Sequence, residues 1–435
     1  MFLTVELYIT YIMLQLNIIK NRHIFNLMKN GIIIIGSGHA GGIAAITLRQ
    51  KKYLGQILII GQEKFYPYQR PALSKGFLTN EIKENSLYLK SPQWYKKQNI
   101  DLILNNPVKN INSLKKVISL SDKKEYRYDH LIIATGSILN KIELSCDESN
   151  IHYLRTLEDS INIKKDLITS KDIVVIGAGY IGLEIASSAI KENIKVTVME
   201  MEDRVMKRSV SQETSDFLKK KHEKNGVDFL LNTAITNITD YKKQKKITCS
   251  NGHIIYADSV IIGVGVKPNI QLALDAGLNC KDGITISDEG LTSDKYIYAA
   301  GDCTNHPNNI YKRRIRLESV HNAVEQGQLV ASSIIGNVKP YHQVPWFWSD
   351  QYNLKIQIAG LFESYDEIVT RGNKEDEKFS LFYLKEKQVI AVEAINNSKD
   401  FLAGKYLINL GAKIDKKIIE NKDIDLKKMF SQTQV

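Results

Sequence analysis

The chain has 435 residues, 43% hydrophobic and 25% charged, which gives two or three soluble globular domains with ample cores and excludes a disordered or fibrous chain. Lys and Arg outnumber Asp and Glu by 59 to 48, a net charge of +11 that favours acidic partners; the basic residues are scattered without a nucleic-acid motif, which argues against nucleic acid. Cys146, Cys249, Cys280 and Cys303 form no C-x-x-C or longer dithiol motif, so spacing offers neither a metal site nor a redox disulfide, and free thiols fit a reducing, cytoplasmic setting.

Residues 1–27 carry the apolar stretch Phe2–Ile19 with Lys20 and Arg22 behind it. A secretory signal has its positive charge in front. A membrane anchor is one reading of this stretch, but it contains Glu6 and Gln15 and is barely long enough to span a bilayer. We favour a true start at Met28, with residues 1–27 a non-native or poorly ordered extension.

Ile32–Ile35 predicts a strand, followed by Gly36-Ser37-Gly38-His39-Ala40-Gly41 and a helix to about Arg49. Gln56–Ile60 is the next strand, and Tyr66–Lys75 a Pro-punctuated loop that includes Arg70. His130–Ala134 is a short apolar run that ends at Thr135-Gly136. The unit then repeats: strand Ile173–Ile176, turn Gly177-Ala178-Gly179-Tyr180-Ile181-Gly182, a helix to Ile190, and strand Lys195–Met199. Ser259–Val264, with Gly263 and Gly265 at its end, and Tyr296–Ala300, leading into Gly301-Asp302, are further apolar strands. Strands alternating with helices predict parallel sheets. The expected fold class is α/β, with two Rossmann-like dinucleotide-binding domains, one inserted in the other, plus a C-terminal α+β domain. Expected boundaries are 28–143 and 263–338 for the first, 144–262 for the second and 339–435 for the third. In the third, Phe379–Tyr383 and Gln388–Glu393 predict antiparallel strands, followed by a helix from about Lys399 to Leu410.

A lone Gly-x-Gly-x-x-Gly is a weak signal. Two copies, each between a strand and a helix, predict two dinucleotides and electron passage between them. The glycines permit the tight turn, the close approach of a diphosphate and close helix packing, while the helix N-terminus presents N–H groups to the anion. After the second copy, Glu200 closes the strand, where a carboxylate bonds both ribose hydroxyls and repels a 2′-phosphate. NADH is therefore favoured over NADPH, which Arg204 nearby leaves open. After the first copy the corresponding slot reads Gly61-Gln62-Glu63, so the acid is replaced by Gln62 or displaced to Glu63. Lys75 and Glu184 fall where two nucleotides would meet, and a lysine held by a carboxylate stabilises negative charge beside a reduced flavin. Asp302 suits a ribityl contact. Trp346 or Trp348 would cover a flavin face, mark an electron exit, or simply pack in the core.

Residues from Met28 to about 430 resemble the FAD-dependent, NADH-using ferredoxin reductases of bacterial oxygenase systems. The resemblance rests on Pro67-Tyr-Gln-Arg-Pro-Ala-Leu-Ser-Lys75, Tyr153-Leu-Arg-Thr-Leu-Glu-Asp159, Val174-Val-Ile-Gly-Ala-Gly-Tyr-Ile-Gly-Leu-Glu184, Ala299-Ala-Gly-Asp-Cys303, Glu318-Ser-Val-His-Asn-Ala-Val-Glu-Gln326 and Pro345-Trp-Phe-Trp-Ser-Asp-Gln351. It implies FAD on Gly36, Gly38, Ala40, Gly41, Gln62, Glu63, Arg70, Lys75, Val108, Ala134, Thr135, Gly136, Arg155, Asp302, Val320 and Trp348. It implies NADH on Gly177, Gly179, Tyr180, Ile181, Gly182, Glu184, Glu200, Gly263, Val264 and Gly265. Lys75 and Glu184 become the catalytic pair. Gln62 departs from the acid usual in the family, and His321 stands where several members have proline. With no dithiol to take them, electrons would leave singly for a [2Fe–2S] ferredoxin that serves a P450, a Rieske-type oxygenase or a similar enzyme. An acidic, transient partner suits Lys385, Lys387, Lys405, Lys413, Lys416 and Lys417. The expected assembly is a monomer or weak homodimer. Alternatives are an NADH oxidase, a rubredoxin reductase, or a redox-sensing flavoprotein akin to apoptosis-inducing factor.

Overall fold

The computed structural model describes residues 31–144 and 146–432, with side chains to 429; the expectation for residues 1–27 lies outside them. Two five-stranded parallel sheets form the larger part of the described fold. The first runs in the order Ile297–Ala299, His130–Ile133, Gly31–Ile35, Gln56–Ile60, Ile100–Ile103. The second runs Val227–Leu230, Lys195–Met199, Asp172–Ile176, Ser259–Ile262, Ile151–Tyr153. Their central strands, GIIII and DIVVI, are buried on both faces, as parallel sheets with helices on each side require. The first sheet draws strands from either side of the second in the chain, so the second unit is an insertion within the first.

Each Rossmann-like unit also carries an antiparallel three-stranded meander before its next parallel strand. One is Val108–Asn112, Val117–Leu120 and Glu125–Arg127; the other is Ile235–Tyr241, Gln244–Cys249 and Ile254–Ala257. The sequence reading did not foresee them. Their strands expose much of their surface, and the first turn of each uses lysine at positive φ (Lys116 at 53°, Lys242 at 55°), leaving Gly252 in the last turn of the second as the one glycine among them.

The C-terminal part is a five-stranded antiparallel sheet in the order Trp346–Gln351, Leu354–Gly360, Gln388–Ile395, Lys378–Lys385, Glu367–Asn373. Helix Ser398–Leu410 packs Phe401, Ala403 and Leu407 into the core on this sheet. It starts on the Asn397 cap and stops at Gly411, whose φ of 63° lets its N–H donate to the last carbonyls. Strand Trp346–Gln351 also packs against helix Tyr180–Lys191 of the second unit, so the C-terminal sheet closes over the second fingerprint. No helix among the described residues is long and apolar enough to cross a membrane.

Candidate active site

The two glycine turns have one local geometry. At Gly36 and Gly177 φ is +116° and +101°, and an added Cβ would lie 2.1 Å from the Ala134 carbonyl oxygen and 2.4 Å from that of Gly263. These glycines let each turn press against the neighbouring strand's end. The middle glycines differ: nothing lies within 4 Å of a Cβ at Gly179, and only the tip of Arg70, at 3.9 Å, near one at Gly38. Open space over the middle glycine, at the N-terminus of a 12-residue helix, leaves room for an anionic group to reach the free N–H groups. Gly41 and Gly182 hold helix against turn, since a Cβ on either would stand 2.0 Å from a carbonyl oxygen.

A cavity of about 790 Å³ extends from the first turn. All the residues expected to hold FAD line it, except Gly41, which is buried beneath the turn. Ala134, Thr135 and Gly136 form the end of strand His130–Ile133, and Thr135 Oγ1 donates to the Asn269 carbonyl. Exposed Gln62 stands on the rim. Glu63 turns inward and accepts from Arg70 at 2.5 Å and from the Tyr68 hydroxyl. Arg70 reaches on to the Arg155 carbonyl, and Arg155 pairs with Asp302 at 3.2 Å. Ser137 also donates to Asp302, at 3.1 Å. A chain of side chains thus ties loop, strand ends and the Gly301-Asp302 turn around one space. His39 also lines the cavity, and burial, aided by Arg70, holds its pKa down to about 4.

The far end of the cavity is where the second fingerprint enters. Ile181 and Glu184, on the first turns of helix Tyr180–Lys191, line it together with Lys75, Phe347 and Trp348. Lys75 Nζ lies 2.9 Å from Glu184 Oε1. Glu184 is buried and also accepts from Ser74 and from Ser349, the latter at 2.6 Å. Burial holds its carboxyl above the usual glutamate range, opposed by Lys75, Ser349 and Ser74. Tyr180 packs against Phe347, with ring centroids 4.1 Å apart and planes tilted by 40°.

The other residues expected to hold NADH lie around the second turn and do not line this cavity. Glu200 Oε2 accepts from the Ala178 N–H at 2.7 Å and Oε1 from the Glu202 N–H at 3.0 Å, which fixes the carboxylate beside the turn. Gly263 donates to the Ile176 carbonyl, the Val264 carbonyl accepts from Asn140, and Gly265 adopts φ +91°. Arg204 bonds the carbonyls of Lys207, Val210 and Ser211.

Of the two tryptophans singled out, Trp348 lines the cavity. Trp346 stands behind it at 5.4 Å, between His321 at 5.2 Å and the Lys405 ammonium at 5.6 Å. Of the C-terminal lysines, Lys405 lies by Trp346, whereas Lys416 pairs with Glu367. Cys303 is buried beside the site, and burial pushes its thiol up to about 11; no cysteine is among the described residues that line the cavity. Sequence reasoning missed Phe347, Ser349, Ser74 and Asn269. Asn269 lies just past Gly265 and Pro268 in the turn after strand Ser259–Ile262, but nothing local marks the others.

Residues 30–327 match the family model of the pyridine nucleotide-disulphide oxidoreductases, and residues 346–430 match that of the reductase C-terminal domain. The chain belongs to the pyridine nucleotide-disulphide oxidoreductase family. It is 36% identical over 410 residues to putidaredoxin reductase CamA of Pseudomonas putida, covering 93% of this chain and 97% of that protein. It is 39% identical over 370 residues to rubredoxin-NAD(+) reductase of Ectopseudomonas oleovorans, covering 85% of this chain and 96% of that one. Among solved structures, the ferredoxin reductase for the CYP199A2 system of Rhodopseudomonas palustris superposes with a TM-score of 0.88 at 35% identity, over 92% of this chain and all of that one. The covalent putidaredoxin reductase–putidaredoxin complex gives 0.90 at 35%, over 94% of this chain. As a member of this family the chain is an oxidoreductase of the ferredoxin reductase type, and the family implies FAD and a pyridine nucleotide. The residues present fit a flavin dinucleotide: an open glycine at a helix N-terminus, polar groups along the walls, and a buried ion pair with aromatic rings at the far end.

Proposed function

We propose that this protein takes a hydride from NADH onto FAD and passes electrons one at a time to an acidic [2Fe–2S] ferredoxin, which serves a P450, a Rieske-type oxygenase or a similar enzyme. The observation that carries this reading is the convergence of both fingerprint units on one cavity. The first supplies the open Gly38 end, and the second inserts Ile181 and Glu184 at the end that holds Lys75. FAD, when bound, supplies the conversion between two-electron and one-electron chemistry.

The chain's own residues do the rest. The His39–Gln50 helix N-terminus binds the diphosphate. Asp302, kept in place by Arg155 and Ser137, binds the ribityl chain. Val320 and Trp348 would wall the flavin ring, Val108, close to the Gly61 strand end, would wall the opposite end of the dinucleotide, and Glu184 holds the Lys75 ammonium where the ring would lie. Glu200, beside the open Gly179, selects NADH by bonding the ribose hydroxyls. Arg204, engaged with three carbonyls, offers little to a 2′-phosphate. Trp346 and Lys405 mark the side where a carrier docks. The domain boundaries expected from the sequence, a cytoplasmic location and a monomer or weak homodimer belong to the same proposal.

Rubredoxin is the second reading for the carrier, favoured by the 39% identity to a rubredoxin reductase. Stopped-flow mixing of the FAD-loaded protein with NADH, then with a [2Fe–2S] ferredoxin or a rubredoxin, tests both. Onward transfer to the ferredoxin, slowed by salt, is expected. Flavin reduction with no transfer to any ferredoxin overturns the proposal, and transfer to rubredoxin alone moves it to the second reading.

A further inference from the structure

Behind the cavity a line of buried polar side chains runs from Glu184 through strand Trp346–Gln351 to helix Gln212–Lys224. Ser349 Oγ lies 2.6 Å from Glu184 Oε1, and Gln351 Nε2 lies 3.1 Å from Ser349 Oγ. His222 Nε2 lies 2.9 Å from Gln351 Oε1, and the Tyr352 hydroxyl 3.0 Å from His222 Nδ1. Ser349, Gln351 and His222 are buried, and Tyr352, half-buried, ends the line. Four groups from two distant segments in unbroken hydrogen-bond contact are more than packing needs.

The charge on Glu184 fixes the sense of every bond in this line. A carboxylate brings no proton, so Ser349 must give its single O–H to Glu184 and accept at Oγ. Gln351 then turns its NH₂ toward Ser349 and its oxygen toward His222. His222 must carry its proton on Nε2, which leaves Nδ1 to accept from Tyr352. Every donor points toward Glu184, and bonds aligned in one sense polarise one another in a low dielectric. His222 stays neutral throughout, because burial holds it down to about 4.

We propose that Ser349, Gln351, His222 and Tyr352 are positioning residues that keep buried Glu184 ionised, and through it keep the Lys75 ammonium at the cavity edge. This inference rests on the catalytic pair proposed above. The ionisable groups facing Glu184 are Lys75, from the loop before it, and Tyr180, one turn earlier on its own helix; Ser74 and Ser349 face it as neutral donors. Facing His222 is Tyr352, with the Lys221–Glu377 pair next along its helix. Cutting the line removes polarised donors from the carboxylate and raises its affinity for a proton. The acid end of the working range then moves to higher pH.

The test uses the full chain loaded with FAD, in the variants His222→Leu, Gln351→Met and His222→Gln. Glutamine at 222 retains an N–H donor toward Gln351. Two readouts are taken. One is a carbon-13 NMR titration of the labelled Glu184 carboxyl, identified by its loss in Glu184→Gln. The other is the pH dependence of flavin reduction by NADH. Expected is a rise in the Glu184 protonation constant of about tenfold in His222→Leu and Gln351→Met, about one pH unit, with the acid limb of the rate profile moving equally and His222→Gln restoring both. Gln351→Met keeps the test open should His222→Leu not fold. An unmoved titration in both leucine and methionine variants overturns the proposal, as does a shift that His222→Gln shares in full. The carboxyl titration needs no reaction. A protein that titrates as expected yet does not reduce flavin would refute the oxidoreductase role of the pair and leave the line intact.

Discussion

Lys75 and Glu184 meet at 2.9 Å although they belong to different nucleotide units, one in the loop after the first sheet's second strand and the other on the second fingerprint helix. The contact joins the two units at the end of the cavity, where a ring of one nucleotide would face a ring of the other. Glu184→Gln keeps the shape but replaces one of the two oxygens that accept from Ser74 and Ser349 by an NH₂ group, and it leaves the ammonium without its counter-charge. Flavin reduction by NADH should slow about 10- to 100-fold, or about 1.4–2.7 kcal/mol in the barrier, while FAD stays bound. Stopped-flow absorbance of the flavin measures it; an unchanged rate removes Glu184 from the chemistry.

The glycines of the second turn give a paired prediction. Gly179→Ala places a methyl group in open space, so the cost to folding is under about 1 kcal/mol, but NADH binding weakens because the methyl group fills the diphosphate's approach. Gly182→Ala drives a Cβ to 2.0 Å from the Gly177 carbonyl oxygen, so folding suffers by about 3 kcal/mol or more. Urea unfolding and NADH titration, run on both variants, separate the two roles.

Glu200→Ser removes a carboxylate that stands beside the turn on two backbone amides. KM for NADH should rise about tenfold, the worth of a hydrogen bond to a charged group, while KM for NADPH falls or holds. Steady-state rates with both nucleotides give the ratio. A preference that does not move places nucleotide choice elsewhere.

Acid should destabilise the fold through its histidines. Burial holds His39, His222, His306 and His321 each to about 4, below the ordinary 6.5. Between those values the unfolded chain binds more protons than the folded one, so stability is full above about pH 6.5 and is lost as pH falls toward 4. Each group contributes a slope of up to about 1.4 kcal/mol per pH unit. His306→Gln should flatten the fall in unfolding free energy, measured by urea titration from pH 7 to 4.5; a slope identical to that of the unsubstituted chain contradicts the burial argument.

Much of this architecture was legible locally. Strands Gln56–Ile60 and Lys195–Met199 fall where their apolar runs begin and end, and both glycine turns sit between strand and helix as spacing required. Local pattern suffices there because a buried parallel strand must be apolar throughout. The two meanders escaped because their strands are largely exposed and lysine makes the first turn of each; the Asn251-Gly252 turn of the second was a local sign that went unread. Around the site, Lys75 and Glu184 were legible as a pair through the duplicated motif and the family resemblance. The partners that hold Glu184 were not, since Ser74 and Ser349 lie 110 and 165 positions away and their hydroxyls are ordinary in sequence. Ser349 stood inside a motif notable for its tryptophans, and its own role is visible only where two segments touch. Tryptophan spacing likewise did not distinguish Trp348 on the cavity wall from Trp346 behind it.

Strand Trp346–Gln351 alternates its side chains, as every strand does. Trp346 and Trp348 share one side, and Ser349 and Gln351 the other, hydrogen-bonded to Glu184 and to His222. One strip of backbone therefore sets both the aromatic stack near the outside and the anchoring of an internal carboxylate. A slip of the whole strand by a single residue would swap the two sides at a stroke. The aromatic stack and the internal anchor are thus locked to a common register, and neither can be re-spaced along the chain without displacing the other.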